Sequence, residues 1–287
     1  MPQTVQELVE LLELEEVDHL RYRGQDPRTT MQRTYGGQVM GQALSAMYST
    51  VPDGRLCHSL TGYFLRPGVP KASIDYQVSV MLDGGSFSNR RVVAEQEGRP
   101  IFVMAASFKT PEDGFEHQIS AFQPPPPPED CPPLADVLAV RSSRAKRAWM
   151  QEWAALDVRY ADSSLTSELD RNARLLVWVK TADDLPADPR VHQQVLAYAS
   201  DLTILAVSTL THPVDFYSPQ MQVATINHSM WFHRPIRADR WVLYDQASPN
   251  ASNALGLSMG RLYAGKTLGA SCAQEGLIRM TKPDEPL

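Results

Sequence analysis

Apolar and polar positions divide the chain into two strand-rich stretches around a polar, proline-punctuated one. In the first stretch, Tyr35-Gly36-Gly37-Gln38 opens a mostly apolar run over residues 39–48, whose Ala, Met and Leu suit a helix. Strand patterns follow at 60–65, 74–82 and 89–95, and Glu97-Gly98 marks a hairpin turn into a strand at 101–108. In the second stretch, residues 175–180 read as a strand. Residues 195–210 are apolar nearly all round and predict a single buried helix. Strands recur at 224–232, 241–247, 254–263 and 268–280, with a turn at Ala264-Gly265. Each stretch thus combines a strand-rich sheet with one long apolar helix, an α+β arrangement in which the sheet wraps its helix.

Between them lies Phe122-Gln123, five prolines from Pro124 to Pro128, and Glu129-Asp130-Cys131-Pro132-Pro133. Consecutive prolines fix φ and remove backbone donors, so neither helix nor sheet is expected to run through. A polar, helix-compatible segment continues to about Asp170. The expected division is residues 1–118, a connecting segment 119–170, and residues 171–287.

The two stretches repeat each other. His58-Ser59-Leu60 leads into Phe64-Leu65-Arg66-Pro67, and His228-Ser229-Met230 leads into Phe232-His233-Arg234-Pro235. The offset is 170 residues at the His-Ser pair (228 − 58) and 168 at Phe-x-Arg-Pro (232 − 64). Two matched motifs in the same order point to a duplication.

Composition narrows the function. A net charge of −6 leaves no footprint for nucleic acid or an anionic membrane surface. The acidic start, MPQTVQELVELLELEE, does not resemble a secretory signal, and no run approaches the roughly 18 apolar residues of a membrane span. The last residues, Glu285-Pro286-Leu287, are not the common peroxisomal tripeptide. Cys57, Cys131 and Cys272 fit neither a disulfide framework nor a zinc site. A cytoplasmic protein without metal or organic cofactor is expected.

Several blocks carry a resemblance. They are Tyr35-Gly-Gly-Gln-Val-Met-Gly-Gln-Ala-Leu44, Tyr63-Phe-Leu-Arg-Pro-Gly68, Asp83-Gly-Gly-Ser-Phe-Ser88 with Arg90-Arg91, and Gly114-Phe-Glu-His-Gln118. In the second stretch they are Tyr198-Ala-Ser-Asp-Leu202, Ala224-Thr-Ile-Asn-His-Ser-Met-Trp-Phe-His-Arg-Pro235 and Gln274-Glu-Gly276. At these residues the chain resembles the type II acyl-CoA thioesterases, the TesB-like double-hotdog enzymes, from about residue 8 to 280. The resemblance implies two fused hotdog domains and hydrolysis of fatty acyl-CoA to free acid and CoA. It also implies a catalytic trio, whose positions here are Asp201, Thr225 and Gln274. One departure is Asn227, where many relatives carry Asp, and it bears on pH behaviour.

These residue types suit thioester hydrolysis. Asp201 can take or orient the proton of a water, while Thr225 and Gln274 fix that water with neutral groups. The oxyanion is expected to meet backbone N–H groups at a helix start. Aligning the halves by eye sets Gln38 against Asp201, Ser107 against Gln274 and Arg55 against Thr225. The first half then lacks all three residue types and reads as a scaffold, leaving one active site per chain. Arg66, Arg234 and Arg90-Arg91 are either phosphate contacts for CoA or, where repeated, sheet-corner residues. His58 and His228, recurring in both halves, read as structural.

Two other readings use the same residues. Gly256-Leu257-Ser258-Met259-Gly260 satisfies the G-x-S-x-G nucleophile elbow, but no histidine follows it and the segment alternates like a strand. A non-catalytic acyl-CoA-binding protein or a hotdog dehydratase would keep the fold. A dehydratase needs His or Glu in the hotdog helix, where this chain has Asp201, with His192 placed ahead of that helix. Exposed sheet edges lead to an expected homo-oligomer built on a dimer.

Overall fold

The computed structural model describes residues 1–119, 125–141, 143–163 and 173–281. Among these, twelve strands form one continuous sheet with antiparallel neighbours. The first half contributes β1 (Glu15–Asp18), β2 (Arg21–Gly24), β3 (Leu56–Phe64), β4 (Ile74–Asp83), β5 (Phe87–Gln96) and β6 (Arg99–Lys109). The second contributes β7 (Leu156–Ser163), β8 (Ala173–Thr181), β9 (Met221–Phe232), β10 (Val242–Ser252), β11 (Leu255–Ala264) and β12 (Thr267–Met280). The order is β1-β2-β4-β5-β6-β3-β9-β12-β11-β10-β8-β7. Outward from the β3–β9 seam the two halves read alike, as a duplicated unit joined through equivalent strands would.

The helices are α1 (Val5–Leu12), α2 (Gly36–Tyr48), α3 (Leu134–Arg141), α4 (Ser143–Glu152), α5 (Pro189–Ser200) and α6 (Ile204–Val207). Helix α2 is the buried helix expected at 39–48, begun at its glycines. Met40, Leu44 and Met47 on it are fully buried, each contributing about 1.5–3 kcal/mol relative to exposure. It lies against β2, β4, β5 and β6, and α6 lies likewise against β8, β10, β11 and β12. The short α6 therefore takes in the second half the place that α2 takes in the first, and α5 packs along α2.

The single helix expected over 195–210 is broken. Helix α5 starts earlier, at Pro189, with Asp188 as its N-cap, and ends at Ser200 with Asp201 as the C-cap. His192 is consequently inside a helix rather than ahead of one. The break follows from polar groups that apolar periodicity does not register: the Asp201 carboxylate and the Thr203 hydroxyl both bond outside the helix.

The segment after the prolines is helical in α3 and α4, as its composition suggests, but ends in a strand. β7 pairs with β8 inside the stretch expected to connect the halves. Asp157, Arg159 and Asp162 mask its alternation. Phe122, Gln123 and Pro124 of the expected linker lie outside the described residues. Pro125–Pro127 carry no regular structure, and the Pro126 carbonyl accepts from Trp178 Nε1.

Sheet register fixes the internal repeat and corrects the alignment made by eye. Phe64 lies opposite Phe102 on β6, and Phe232 lies opposite Ala270 on β12. Four residues further along β6 and β12, Leu60 faces Ala106 and His228 faces Gln274. The counterpart of Gln274 is thus Ala106, not Ser107, and that of His228 is Leu60, not His58. Cys57 faces Phe108 as Thr225 faces Gly276, so Cys57 rather than Arg55 matches Thr225. Both pairings skip one residue at the same place, His58 in β3 and Ile226 in β9. The uniform offset is that of the Phe-x-Arg-Pro motif; the His-Ser pair matches by sequence only.

That motif closes a corner in both halves. Leu65 and Arg66 N–H both donate to Ile101 O, at 2.8 and 3.3 Å, and His233 and Arg234 N–H both donate to Gly269 O, at 2.7 and 3.2 Å. Arg90 is buried, pairs with Asp83 and donates to Thr50 and Leu82, so it holds the sheet and does not face a ligand.

Candidate active site

Asp201, Thr225 and Gln274 come from three elements and meet at one point. Asp201 leaves the end of α5, where the chain turns toward α6. Thr225 and Gln274 project from β9 and β12 onto the inner face of the sheet. Thr225 Oγ1 donates to Asp201 Oδ1 at 3.1 Å, and Gln274 Nε2 donates to Thr225 Oγ1 at 3.0 Å. The second Asp201 oxygen, Oδ2, accepts from the Gly37 N–H at 3.0 Å.

That last bond crosses between halves. Gly37 lies in the first turn of α2, whose cap residue Tyr35 makes no side-chain capping bond. Asp201 caps this helix from the other half, and the positive end of the helix dipole faces its carboxylate. The expected scaffold half therefore contributes to the site. Tyr35 ties the same junction by donating to the Tyr198 carbonyl at 2.7 Å.

A fourth side chain extends the cluster. His228 Nδ1 lies 2.6 Å from Gln274 Oε1, and its Nε2 lies 3.0 Å from Ser200 Oγ. An ionised Asp201 only accepts, so it sets the direction of every bond. Thr225 turns its proton to Asp201, Gln274 presents its nitrogen to Thr225 and its oxygen to His228, and His228 carries its proton on Nδ1. The Ser200 hydroxyl then donates to Nε2 rather than to Ala197 O, which is 2.9 Å away. Proton positions here are assigned from this network.

Burial raises the Asp201 carboxyl to about 6; hydrogen bonds from Thr225, Gln274 and Gly37 pull in the opposite direction. Burial likewise depresses His228, to about 4, which favours the neutral imidazole.

Sequence reasoning set His228 aside because it recurs with His58. Its place beside Gln274 depends on the bulge at Ile226: without the extra residue, Thr225 and His228, three apart, would point to opposite faces. No residue pattern announces that bulge. Asn227, the departure from the family pattern, turns to the other face, where its Nδ2 donates to Glu275 Oε2 at 3.4 Å. The lost charge does not face Asp201.

Ser258 of the G-x-S-x-G motif sits inside β11, fully buried and paired across to Gln274, and the strand continues to Ala264 before a hairpin into β12 rather than a helix. The nucleophile-elbow geometry is absent. His192 accepts from the Ala238 N–H through Nδ1 and lines a cavity with Leu196, Phe232, Arg234 and Arg237, whose lining includes none of the trio. Among the described residues no cluster of three His, Cys, Asp or Glu is placed to hold a metal ion, and no helix is long and apolar enough to cross a membrane.

Known proteins resemble this chain over most of its length. The family model described as acyl-CoA thioesterase matches residues 156–277, and the acyl-CoA thioesterase N-terminal domain matches residues 25–109. Acyl-CoA thioesterase 2 of Haemophilus influenzae is 34% identical over 98% of this chain and 100% of its own length. The chain belongs to the acyl-CoA thioesterase family. Human acyl-coenzyme A thioesterase 8 is 36% identical, covering 94% of this chain and 88% of its own. The crystal structure of the acyl-CoA thioesterase II TesB2 from Mycobacterium marinum, 40% identical, superposes with a TM-score of 0.80 over 94% of this chain and 97% of that one. The resemblance read from the sequence blocks is thereby shown, and with it the α+β double hotdog.

Proposed function

We propose that this thioesterase hydrolyses fatty acyl-CoA with a water held by Asp201, Thr225 and Gln274. The observation that supports this reading is the chain of donors that ends on the Asp201 carboxylate. The water's proton passes to Asp201 as its oxygen bonds the thioester carbonyl carbon. The carbonyl oxygen becomes an oxyanion beside the N-terminus of α2, where the first-turn N–H groups have no partner within the helix. Collapse breaks the C–S bond, expels the CoA thiolate, and returns the proton from Asp201 to sulfur. A carboxyl lifted toward neutrality suits a group that must both take and return a proton.

Thiol release from acyl-CoA tests it directly. Asp201→Asn is expected to lower kcat by about 10²–10⁴-fold, the usual worth of a positioned base, with KM little changed. Turnover near that of the unaltered enzyme would remove Asp201 from the chemistry.

The reading includes a cytoplasmic location, supported by three buried free thiols (Cys57, Cys131 and Cys272) of the kind a reducing compartment preserves. It also includes a homo-oligomer built on a dimer. Tyr63, Trp231 and Met259 are exposed and alternate along their strands with inward-facing residues, which supports contact through the outer sheet face. Light scattering at micromolar concentration is expected to give a multiple of 32.0 kDa; a monomer contradicts it.

A further inference from the structure

Resting on the reading that Asp201, Thr225 and Gln274 hold the hydrolytic water, we propose that His228 is a positioning residue that locks the Gln274 amide with its nitrogen toward Thr225. The two ends of a glutamine amide have nearly the same shape, so packing alone does not choose between them. A hydrogen-bond donor at the oxygen end does. His228 Nδ1, 2.6 Å from Gln274 Oε1, is that donor. With the amide reversed, Gln274 would present an acceptor to Thr225 Oγ1. The threonine proton would then turn to glutamine, and the Asp201 carboxylate would lose its partner.

The imidazole is fixed in turn. Ser200 Oγ occupies its Nε2 at 3.0 Å, leaving the proton on Nδ1. Ser200 is itself held through its carbonyl, which accepts from Tyr244 Oη at 2.7 Å. Since Ser200 and Asp201 are consecutive, the network closes into a ring: Asp201, Thr225, Gln274, His228, Ser200, and back through the main chain. The carboxylate and the amide that together face the water are thus tied to one frame.

The internal repeat shows that the strand itself does not need this histidine. At the matching register position of β3 stands Leu60, facing Ala106, and both are buried in a half of the same topology. The first half builds the strand pair with apolar residues; the second places a buried imidazole and a buried amide there. A polar pair in an interior that an apolar pair can fill has its explanation in the chemistry beside it.

Three replacements separate positioning from structure. His228→Leu places the first half's residue there and removes the donor. His228→Asn returns an N–H near the place of Nδ1, and His228→Gln returns one near Nε2. We expect His228→Leu to fold, with its melting temperature lowered only as far as one lost buried hydrogen bond requires, and to lower kcat by about 10- to 100-fold, the scale of a misplaced catalytic geometry, with KM unchanged. His228→Asn should recover most of the loss and His228→Gln little. In a Gln274→Ala background, His228→Leu should cost nothing more, since its effect runs through the amide. Asp201→Asn is assayed alongside. If it abolishes turnover while His228→Leu stays within twofold of the unaltered enzyme, this proposal fails and the trio stands. If Asp201→Asn itself retains turnover, the underlying reading fails. Equal recovery by Asn and Gln, or a full further loss in the Gln274→Ala background, also overturns the role. Should His228→Leu not fold, the Asn–Gln contrast decides alone.

Discussion

Asp201 is the residue on which burial and hydrogen bonding pull in opposite directions. Its carboxyl titrates near 6 against an ordinary 3.8, because burial favours the neutral form more than Thr225, Gln274 and Gly37 favour the charged one. The reactive form is the carboxylate, so kcat/KM is expected to fall as pH drops through about 6, measurable by thiol release across buffers. His228, already neutral there, should add no second inflection above pH 5. The same shift has a stability consequence. A folded-state value raised above the unfolded one means that the folded protein holds this proton more tightly. Its contribution is therefore complete below the ordinary carboxylate range and lost as pH rises through about 6. Asp201→Asn, which cannot ionise, should gain stability relative to the unaltered protein between pH 4 and pH 8, by up to about 3 kcal/mol for a shift of roughly two units. Denaturant melts at the two pH values give the difference. A constant gap would mean that the carboxyl titrates normally. At this scale the three residues that meet here were named through family resemblance. Thr225 and Gln274 alone are ordinary strand residues.

At the scale of elements, what the sequence displayed were regular periods, and what it hid were their interruptions. The strands of β3 to β6 and β9 to β12 alternate plainly, and Glu97-Gly98, both at positive φ, made its hairpin readable. The break of the second hotdog helix at Asp201 and the bulge at Ile226 were not readable, because each is fixed by bonds to distant elements. Yet those two irregularities aim Asp201, Thr225 and His228 at one point. β1, β2 and β7 were missed for a different reason: short or charge-rich strands have too few apolar positions to show a period. The start of α2 gives the test at this scale. A Cβ on Gly37 would stand 2.2 Å from the Tyr198 carbonyl oxygen, a main-chain atom that cannot swing aside. Gly37→Ala must therefore push α2 away from the end of α5 and stretch the N–H bond to Asp201. Turnover is expected to fall at least tenfold, and stability by about 1–3 kcal/mol, the range of overpacking. An unchanged kcat would show that the α2 terminus is not part of the working site.

At the scale of the whole molecule, the sheet is symmetric and the chemistry is not. The repeat was visible in Phe-x-Arg-Pro, but its register needed strand pairing, since a slip of one residue moves every side chain to the opposite face. With the register fixed, the first half presents Cys57, Leu60 and Ala106 where the second presents Thr225, His228 and Gln274. The by-eye choice of Ser107 and Arg55 was displaced, and the inference drawn from it survives on these residues instead. Two halves that each supply a helix terminus could in principle host two sites. Among the described residues Asp201 bonds the first turn of the other half's helix; Gln38, which the alignment by eye set against it, lies inside that same turn, buried and bonded to Gln42. One catalytic site per chain is therefore expected. Isothermal titration with a non-hydrolysable acyl-CoA analogue should return one equivalent per 32.0 kDa chain that is sensitive to Gln274→Ala. In the first half, Gln38→Ala and Ala106→Ser should each keep kcat within about threefold, since neither side chain bonds Asp201, Thr225 or Gln274. Two equivalents of equal affinity, or a collapse in Gln38→Ala as deep as in Asp201→Asn, would mean that the first half carries chemistry of its own.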